Sequence, residues 1–239
     1  MIAKVTTRPP ASVLAAFDVD AALLQPLHGG QGMAWSDGGL VLKPLDMTLE
    51  ALVWQEAVLS DIAEEGFRLA RPVRTRAGKL VAAGWSAWQR LAGQHLPGRW
   101  ADIAAVGERF HRASAHIPPP PWHQRRTDAF ARADRAAWEA EALAPFRSLP
   151  VIDQLGALLQ PVHGRGQLIH GDLSGNVLFH PHLSPGIIDL SPYGVPRCSP
   201  PRLSPWMRWS GKAQIIAFLA SSTATPTPLS TSSAPPSSG

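Results

Sequence analysis

The chain has 239 residues, 45% of them hydrophobic, which is enough apolar side chain to bury a sizeable core. Its formal net charge of +4 comes from the C-terminal part, because four of the 22 basic residues and none of the 18 acidic residues follow Gly194. The preceding part is neutral and has no cluster of Lys and Arg interleaved with aromatic residues, which argues against nucleic acid as a partner. The single cysteine, Cys198, excludes an intramolecular disulfide framework.

The hydrophobic stretches of the sequence indicate whether the protein is secreted or inserted into a membrane. The N-terminal stretch MIAKVTTRPPASVLAAF is interrupted by prolines and is a poor secretory signal. The longest apolar run of the C-terminal part, AQIIAFLA, is far shorter than the ~20 residues that span a bilayer. We therefore expect no membrane partner and a cytoplasmic protein.

Residues 1–91 alternate short apolar runs with turn signals around one long helix. Residues 11–25 have helical spacing and lead into a glycine-rich turn. That turn holds three glycines, Gly29, Gly30 and Gly32. The run LVLKPL predicts a strand that carries Lys43, and TLEALVWQEAVLSDIAEEG predicts a helix that carries Glu56 and ends near Gly66. Two or three further strands, joined by the turn RAGK, complete a small predicted sheet.

From Asp102 the pattern becomes helical. ADIAAVGERFHRASAHI, RTDAFARADRAAWEAEAL and VIDQLGALLQPV each predict a helix, and PPPP separates the first two. Two short strands follow, in QLIHGDLSGNVLF and GIIDL. A sheet-rich first part followed by a helix-rich second part is typical of an α+β chain in two lobes. Residues 194–239 contain eight prolines, ten serines and four threonines, and we expect them to be disordered.

The polar residues of these turns and strands match the needs of phosphoryl transfer, which are a phosphate-binding cation, oxygen ligands for Mg²⁺ and a base. Asp172 follows a buried strand and is the candidate base for a substrate hydroxyl. Asn176 and Asp189 offer the hard oxygen ligands that Mg²⁺ prefers. Lys43 is the candidate phosphate contact, and Glu56 is spaced to pair with it.

These residues, in this order, resemble the aminoglycoside phosphotransferase and choline kinase-like family, which shares the protein-kinase-like fold. The matching segments are GGQGMAW, LVLK, WQEAVL, HGDLSGNVLF and IIDL, within residues 27–193. The resemblance implies a nucleotide-binding lobe at 1–91 and a catalytic lobe at 92–193. It also implies ATP and Mg²⁺ as cofactors and a small molecule with a hydroxyl group as substrate.

The resemblance assigns a role to each candidate. Asp172 is implied as the catalytic base, Asn176 and Asp189 as metal ligands, and Lys43 as the phosphate contact with Glu56 as its partner. The nucleotide-binding set also takes in the glycine turn and the segment that contacts adenine, which WQRL provides: Gly29, Gly30, Gly32 and Gln89. The acceptor stays open, since aminoglycoside, choline, sugar, amino-alcohol and macrolide acceptors are all compatible. A bacterial subgroup of unassigned substrate has a similar sequence after the metal aspartate.

Two features depart from the family. The step from Asp172 to Asn176 is four residues, where the family usually has five. After Tyr193 the chain also lacks the helices that complete the second lobe, so we expect a truncated lobe at 92–193. We interpret residues 194–239 as a disordered or out-of-frame tail, such as a reading-frame shift would produce. The alternative function is a catalytically impaired or non-catalytic nucleotide-binding pseudokinase.

A third possibility is a metal-dependent hydrolase that uses a histidine cluster. The candidate ligands are His163, His180 and His182, but histidines in surface loops are the more common reason for such a pattern. His170, by contrast, is expected to pack beneath the Asp172 loop and to orient it through hydrogen bonds of its ring.

Overall fold

The computed structural model describes residues 7–27, 34–122, 125–127 and 166–196. The helices of these ranges are α1 (Ala11–Phe17), α2 (Leu49–Asp61) and α3 (Trp100–Ala113). The strands are β1 (Gln25–Pro26), β2 (Trp35–Ser36), β3 (Leu40–Pro44), β4 (Arg68–Leu69), β5 (Pro72–Val73), β6 (Val81–Ala82), β7 (Trp85–Gln89), β8 (Gly166–His170), β9 (Val177–Leu178), β10 (Gly186–Ile187) and β11 (Pro192–Pro196). Almost all described residues belong to one compact unit, and a second unit contains only Arg126 and Thr127 of them.

An antiparallel sheet forms the N-terminal part. Its strand order is β1-β2-β3-β7-β5, and β6 also pairs with β7. In the central pair, Leu42 of β3 lies opposite Ala87 of β7, and both side chains are fully buried. Helix α1 buries Val13 and Phe17 in the same apolar cluster. The sheet thus has a packed face, which holds β3 and its lysine in a fixed register.

Helix α2 begins at a capping residue and packs into the main core. Thr48 accepts a hydrogen bond from the backbone N–H of Ala51 through Oγ1, at 3.1 Å. Leu52 and Leu59 of α2 are buried with Phe110 of α3 in one cluster. Full burial of a side chain of this size stabilises a fold by about 1.5–3 kcal/mol. The cluster therefore fixes α2 and α3 relative to the strands that they cover.

Two further small sheets contain the strands that follow α3, and one of them also includes β4. In one, β10 pairs in parallel with β4 and antiparallel with β9. In the other, β8 pairs antiparallel with β11, and His170 lies opposite Pro192. Strands distant in sequence are joined here, so the ends of β8 and β10 lie near each other.

Most predicted elements of the described ranges are present, with different ends. The prediction of a helix over 11–25 was too long, because α1 ends at Phe17 and Asp18 adopts the left-handed region with φ 59°. The helix predicted before Gly66 ends at Asp61. The helices predicted at 126–143 and 151–162, and the segment 197–239, lie outside the described residues. No helix among the described residues is both long enough and apolar enough to cross a membrane.

Candidate active site

The predicted catalytic loop begins where a buried strand ends. Leu168, Ile169 and His170 of β8 are fully buried, and the N–H of Gly171 donates to the carbonyl of Ser191 at 2.8 Å. The next residue, Asp172, is exposed. The buried strand β8 therefore fixes the position at which the carboxylate of Asp172 reaches the surface.

The loop is a compact turn in which Asp172 and Asn176 meet. The N–H of Asn176 donates to the carbonyl of Leu173 at 3.1 Å, and Leu173 is fully buried. The Nδ2 of Asn176 donates to the backbone carbonyl of Asp172 at 2.6 Å. The hydroxyl of Ser174 donates to Oδ1 of Asp172 at 3.3 Å. The four-residue step thus still brings the asparagine amide back to the aspartate.

Asp189 is held beside this turn by the backbone. It follows β10, and the N–H of Ile188 donates to the carbonyl of Asn176 at 3.0 Å. Asp189 has φ 48°, in the left-handed region that costs a non-glycine residue conformational energy, and its side chain is 54% exposed. Strained backbone of this kind is concentrated at functional sites.

Lys43 reaches Asp189 from the N-terminal sheet. Its Nζ lies 2.5 Å from Oδ1 of Asp189 and 5.0 Å from the ring centroid of Trp88. The side chain of Lys43 is only 17% exposed. This ion pair joins two of the predicted site residues across 146 positions of sequence.

The predicted ion pair between Lys43 and Glu56 is wrong in this structure. Both carboxylate oxygens of Glu56 accept from Arg74, with Nε to Oε1 at 2.6 Å, and Lys43 contacts Asp189 instead. The planar guanidinium forms two parallel bonds to one carboxylate, which a lysine ammonium does not. The pairing with Glu56 raises the pKa of the Arg74 guanidinium, against a smaller lowering by burial.

The remaining nucleotide-binding candidates are only partly described. The glycines of the turn lie outside the described residues: Gly29, Gly30 and Gly32. The strands that flank them, β1 and β2, pair antiparallel, and the N–H of Leu27 donates to the carbonyl of Ala34 at 2.8 Å. Gln89 is exposed at the end of β7, and its N–H donates to the carbonyl of Arg71 at 2.8 Å. Its contact with adenine stays a prediction.

His170 lies behind the loop and contacts the backbone on both sides of the site. Its Nδ1 accepts from the N–H of Asp172 at 3.1 Å, and its Nε2 lies 3.1 Å from the carbonyl of Ile188. Burial lowers the pKa of His170, against the hydrogen bond to Ile188 and the charges of Asp172 and Asp189, which raise it. The ring is therefore neutral and acts as a link between the two aspartate segments.

Gln55 is a residue of this site that the sequence analysis missed. It is 3% exposed on α2, and its Nε2 donates to the carbonyl of Leu190 at 3.2 Å. Its Oε1 is buried without a hydrogen-bond partner among the described residues. Gln55 thus ties α2 to the residue after Asp189. The available signal was a glutamine beside Glu56, on the apolar side of a predicted helix.

The histidine cluster considered for zinc is not supported by the described residues. The Nδ1 of His180 accepts from the backbone N–H of His182 at 3.2 Å, and the two rings lie 6.0 Å apart. Within 7–27, 34–122, 125–127 and 166–196 no group of three His, Cys, Asp or Glu residues is placed to hold a metal ion. His163 lies outside these ranges.

The chemistry of the loop and of Asp189 is compatible with a hydrated divalent cation. Asp189 already attracts a cation, the ammonium of Lys43, at 2.5 Å. Since Nδ2 of Asn176 is committed to the carbonyl of Asp172, the amide presents Oδ1 as its ligand atom. One carboxylate and one amide oxygen suffice for Mg²⁺, which keeps waters and substrate phosphates as its other ligands.

Comparison with known protein families and solved structures identifies phosphotransferases as similar proteins. The family model described as the phosphotransferase enzyme family matches residues 37–195. The chain is similar to an aminoglycoside phosphotransferase from Alicyclobacillus acidocaldarius, with TM-score 0.54 and 21% identity over 80% of this chain and 68% of that one. It is also similar to an amicoumacin kinase in complex with AMP-PNP and Ca²⁺, with TM-score 0.52 and 14% identity over 77% of this chain. The chain covers 63% of the length of that kinase. No curated protein matches the sequence.

The family match extends over more than half of the chain and contains the four residues that the described geometry brings together, Lys43, Asp172, Asn176 and Asp189. The two structural neighbours match this mixed helix-and-sheet chain, whose N-terminal sheet is antiparallel, with TM-scores above 0.5. The chain therefore has the protein-kinase-like fold and belongs to the phosphotransferase enzyme family.

Proposed function

We propose that this protein transfers the γ-phosphoryl group of ATP to a hydroxyl group of a small molecule. The observation that carries the proposal is the ion pair between Lys43 and Asp189, which links the N-terminal sheet to the turn that holds Asp172 and Asn176. Phosphoryl transfer depends mainly on positioning and on charge stabilisation, and these four side chains supply both.

Each residue has a role in this proposal. Asp172, exposed and oriented by the Ser174 hydroxyl, accepts the proton of the substrate hydroxyl. The hydroxyl oxygen forms a bond to the γ-phosphorus, the bond from that phosphorus to the bridging oxygen breaks, and ADP leaves. Asn176 and Asp189 hold Mg²⁺, which when bound neutralises charge on the phosphates. When the nucleotide binds, the ammonium of Lys43 leaves Asp189 and contacts phosphate oxygens instead.

The nucleotide is proposed to lie along β3 and β7. Gln89 is the last residue of β7, which pairs with β3, and the glycine turn at 28–33 precedes β2, which also pairs with β3. The proposed binding site therefore includes both. The similar amicoumacin kinase is in complex with AMP-PNP, which supports nucleotide binding by a protein of this fold. ATP as donor and the single cysteine are consistent with a cytoplasmic location.

A second candidate is a nucleotide-binding protein without transfer activity. Protein kinases need both the lysine-to-glutamate ion pair and the metal-bound aspartate in place. Here Glu56 pairs with Arg74, and Lys43 pairs with Asp189. The pairing of Glu56 with Arg74 instead of Lys43 is the observation that favours this second candidate.

Phosphorus NMR of ATP with a panel of aminoglycoside, amino-alcohol, sugar and macrolide acceptors separates the two candidates. The transfer proposal predicts loss of the γ-phosphate signal together with a new phosphate ester, and predicts that Asp172→Asn abolishes the ester while ATP still binds. ATP binding without an ester for any acceptor would favour the second candidate. Absence of ATP binding would remove both.

A further inference from the structure

Two buried histidines lie in contact behind the catalytic loop. His111 of α3 is 5% exposed and His170 of β8 is fully buried. The Nε2 of His111 accepts the backbone N–H of His170 at 3.2 Å. His170 in turn contacts the backbone of Asp172 and of Ile188 through its two ring nitrogens, each at 3.1 Å. One chain of hydrogen bonds therefore runs from α3 to the segments of both functional aspartates.

This chain fixes the proton positions of both rings. A ring nitrogen that accepts a hydrogen bond carries no proton, so neutral His111 has its proton on Nδ1. His170 accepts at Nδ1 and therefore donates from Nε2 to the carbonyl of Ile188. Burial, with a smaller effect of the neighbouring His170, lowers the pKa of His111 to about 3, which keeps it neutral at physiological pH. The two rings thus have opposite tautomers.

A histidine at this position is costly if it serves packing alone. The Nδ1–H of His111 is buried with no hydrogen-bond partner among the described residues. An unpaired buried donor destabilises the folded protein, and an apolar side chain of similar size would avoid this cost. The cost is offset by the hydrogen bond that His111 accepts from the otherwise unpaired backbone N–H of a fully buried residue.

We propose that His111 is a positioning residue for phosphoryl transfer: its Nε2 holds the end of β8 so that His170 keeps the amide of Asp172 and the carbonyl of Ile188 at fixed separation. The effect on catalysis rests on the proposed function, whereas the hydrogen-bond chain and its tautomers do not. The C-terminal end of α3 and the residues after it also contact β8 before His170: Nε2 of Gln167 donates to the backbone carbonyl of His111 at 3.4 Å, and the hydroxyl of Ser114 donates to the carbonyl of Leu168 at 3.5 Å. The N–H of Leu168 donates to the carbonyl of Ile117 at 3.2 Å. Among these contacts, only the bond from the side chain of His111 reaches His170.

The first test uses no activity. Long-range proton–nitrogen NMR of the full chain, labelled at histidine, should show Nδ1–H for His111 and Nε2–H for His170 at neutral pH. In His111→Gln, whose side-chain oxygen replaces the acceptor, His170 should keep the Nε2–H tautomer. In His111→Leu it should become a mixture. The same pure Nε2–H tautomer for His170 in His111→Leu, or the reverse tautomers in the wild type, would overturn the proposal.

The second test measures transfer with an acceptor found for the wild type. His111→Leu should lower kcat about tenfold to a hundredfold with little change in the KM for ATP, because misplacement of reacting groups by about 1 Å has effects of this size. His111→Gln should recover most of that loss. Val106→Ala, a buried substitution five residues earlier on α3, is the control for lost stability. Equal kcat for the Leu and Gln variants would contradict the positioning role.

A wild type that neither binds ATP nor transfers phosphate would refute the proposed function and, with it, any role of His111 in transfer. The NMR result would still decide whether the hydrogen-bond chain exists.

Discussion

The buried His111 should make the protein less stable as the pH falls. In the folded protein burial lowers the pKa of His111 from 6.5 to about 3. In the unfolded chain the side chain returns to its ordinary pKa. Between these two values the unfolded chain binds a proton at this position and the folded protein does not, so the free energy of unfolding rises with pH. The destabilisation therefore begins as the pH drops through the unfolded value and continues to about pH 3.

The size of the effect follows from the shift. At about pH 5 the medium is about 1.5 units below the unfolded pKa, and each unit is worth about 1.4 kcal/mol, so His111 alone lowers the free energy of unfolding by about 2 kcal/mol relative to neutral pH. His170 acts in the same direction, because burial lowers its pKa as well. His111→Gln keeps a hydrogen-bond acceptor and removes the first contribution only.

Urea unfolding of the wild type and of His111→Gln from neutral pH to about pH 5 measures this difference. We expect the wild type to lose about 2 kcal/mol more than the variant over that range. Val106→Ala, which removes buried methyl groups and no titrating group, should be less stable throughout but keep the slope of the wild type. An equal slope for the wild type and His111→Gln would refute the assignment of His111 as a buried neutral histidine.

Two further predictions concern residues that hold the site in place. Gln55→Leu removes the hydrogen bond to the carbonyl of Leu190, so it should destabilise the protein by about 1–3 kcal/mol in urea unfolding and weaken nucleotide binding in calorimetric titration. The control Val53→Ala, at an exposed position of the same helix, should change the stability by less than about 0.5 kcal/mol. Equal effects of the two substitutions would contradict the role of Gln55. Gly93→Ala places a Cβ 2.9 Å from the carbonyl oxygen of Phe179 at φ +139°, whereas Gly78→Ala at φ +73° meets no atom within 4 Å. The first should lower the melting temperature clearly more than the second, and the reverse order would show that Gly93 does not approach Leu178 and Phe179 this closely.

The order of elements made much of the site predictable. Lys43 on a strand, Asp172 after a buried strand and Asp189 after a second one are local patterns, since apolar runs set the strands and polar residues mark their ends. The structure brings these residues together, and the α+β class follows from the same periodicity. Asn176 also lies beside Asp172 despite the short loop, because its side chain reaches back to the carbonyl of Asp172.

The remaining features depend on distances that periodicity does not contain. Which cation pairs with Glu56 is decided by how close Arg74 and Lys43 approach in the folded chain, and the sequence pattern is compatible with either. Gln55 and His111 are polar residues on buried helix faces, and their hydrogen bonds go to backbone atoms more than 50 positions away. The early end of α1 reflects the left-handed backbone of Asp18, which helical spacing does not reveal.

Calorimetric titration of the full chain with the Mg²⁺ complex of a non-hydrolysable ATP analogue tests the central claim most directly. The account predicts binding by the wild type, by Asp172→Ala, which lacks only the proposed base, and by Asp61→Ala, which removes an exposed carboxylate that pairs with His116. Asp189→Ala should bind at least about tenfold more weakly, equal to about 1.4 kcal/mol, because it loses a charged metal ligand. No binding by the wild type, or equal affinity in Asp189→Ala, would contradict the assignment of this site to magnesium and nucleotide.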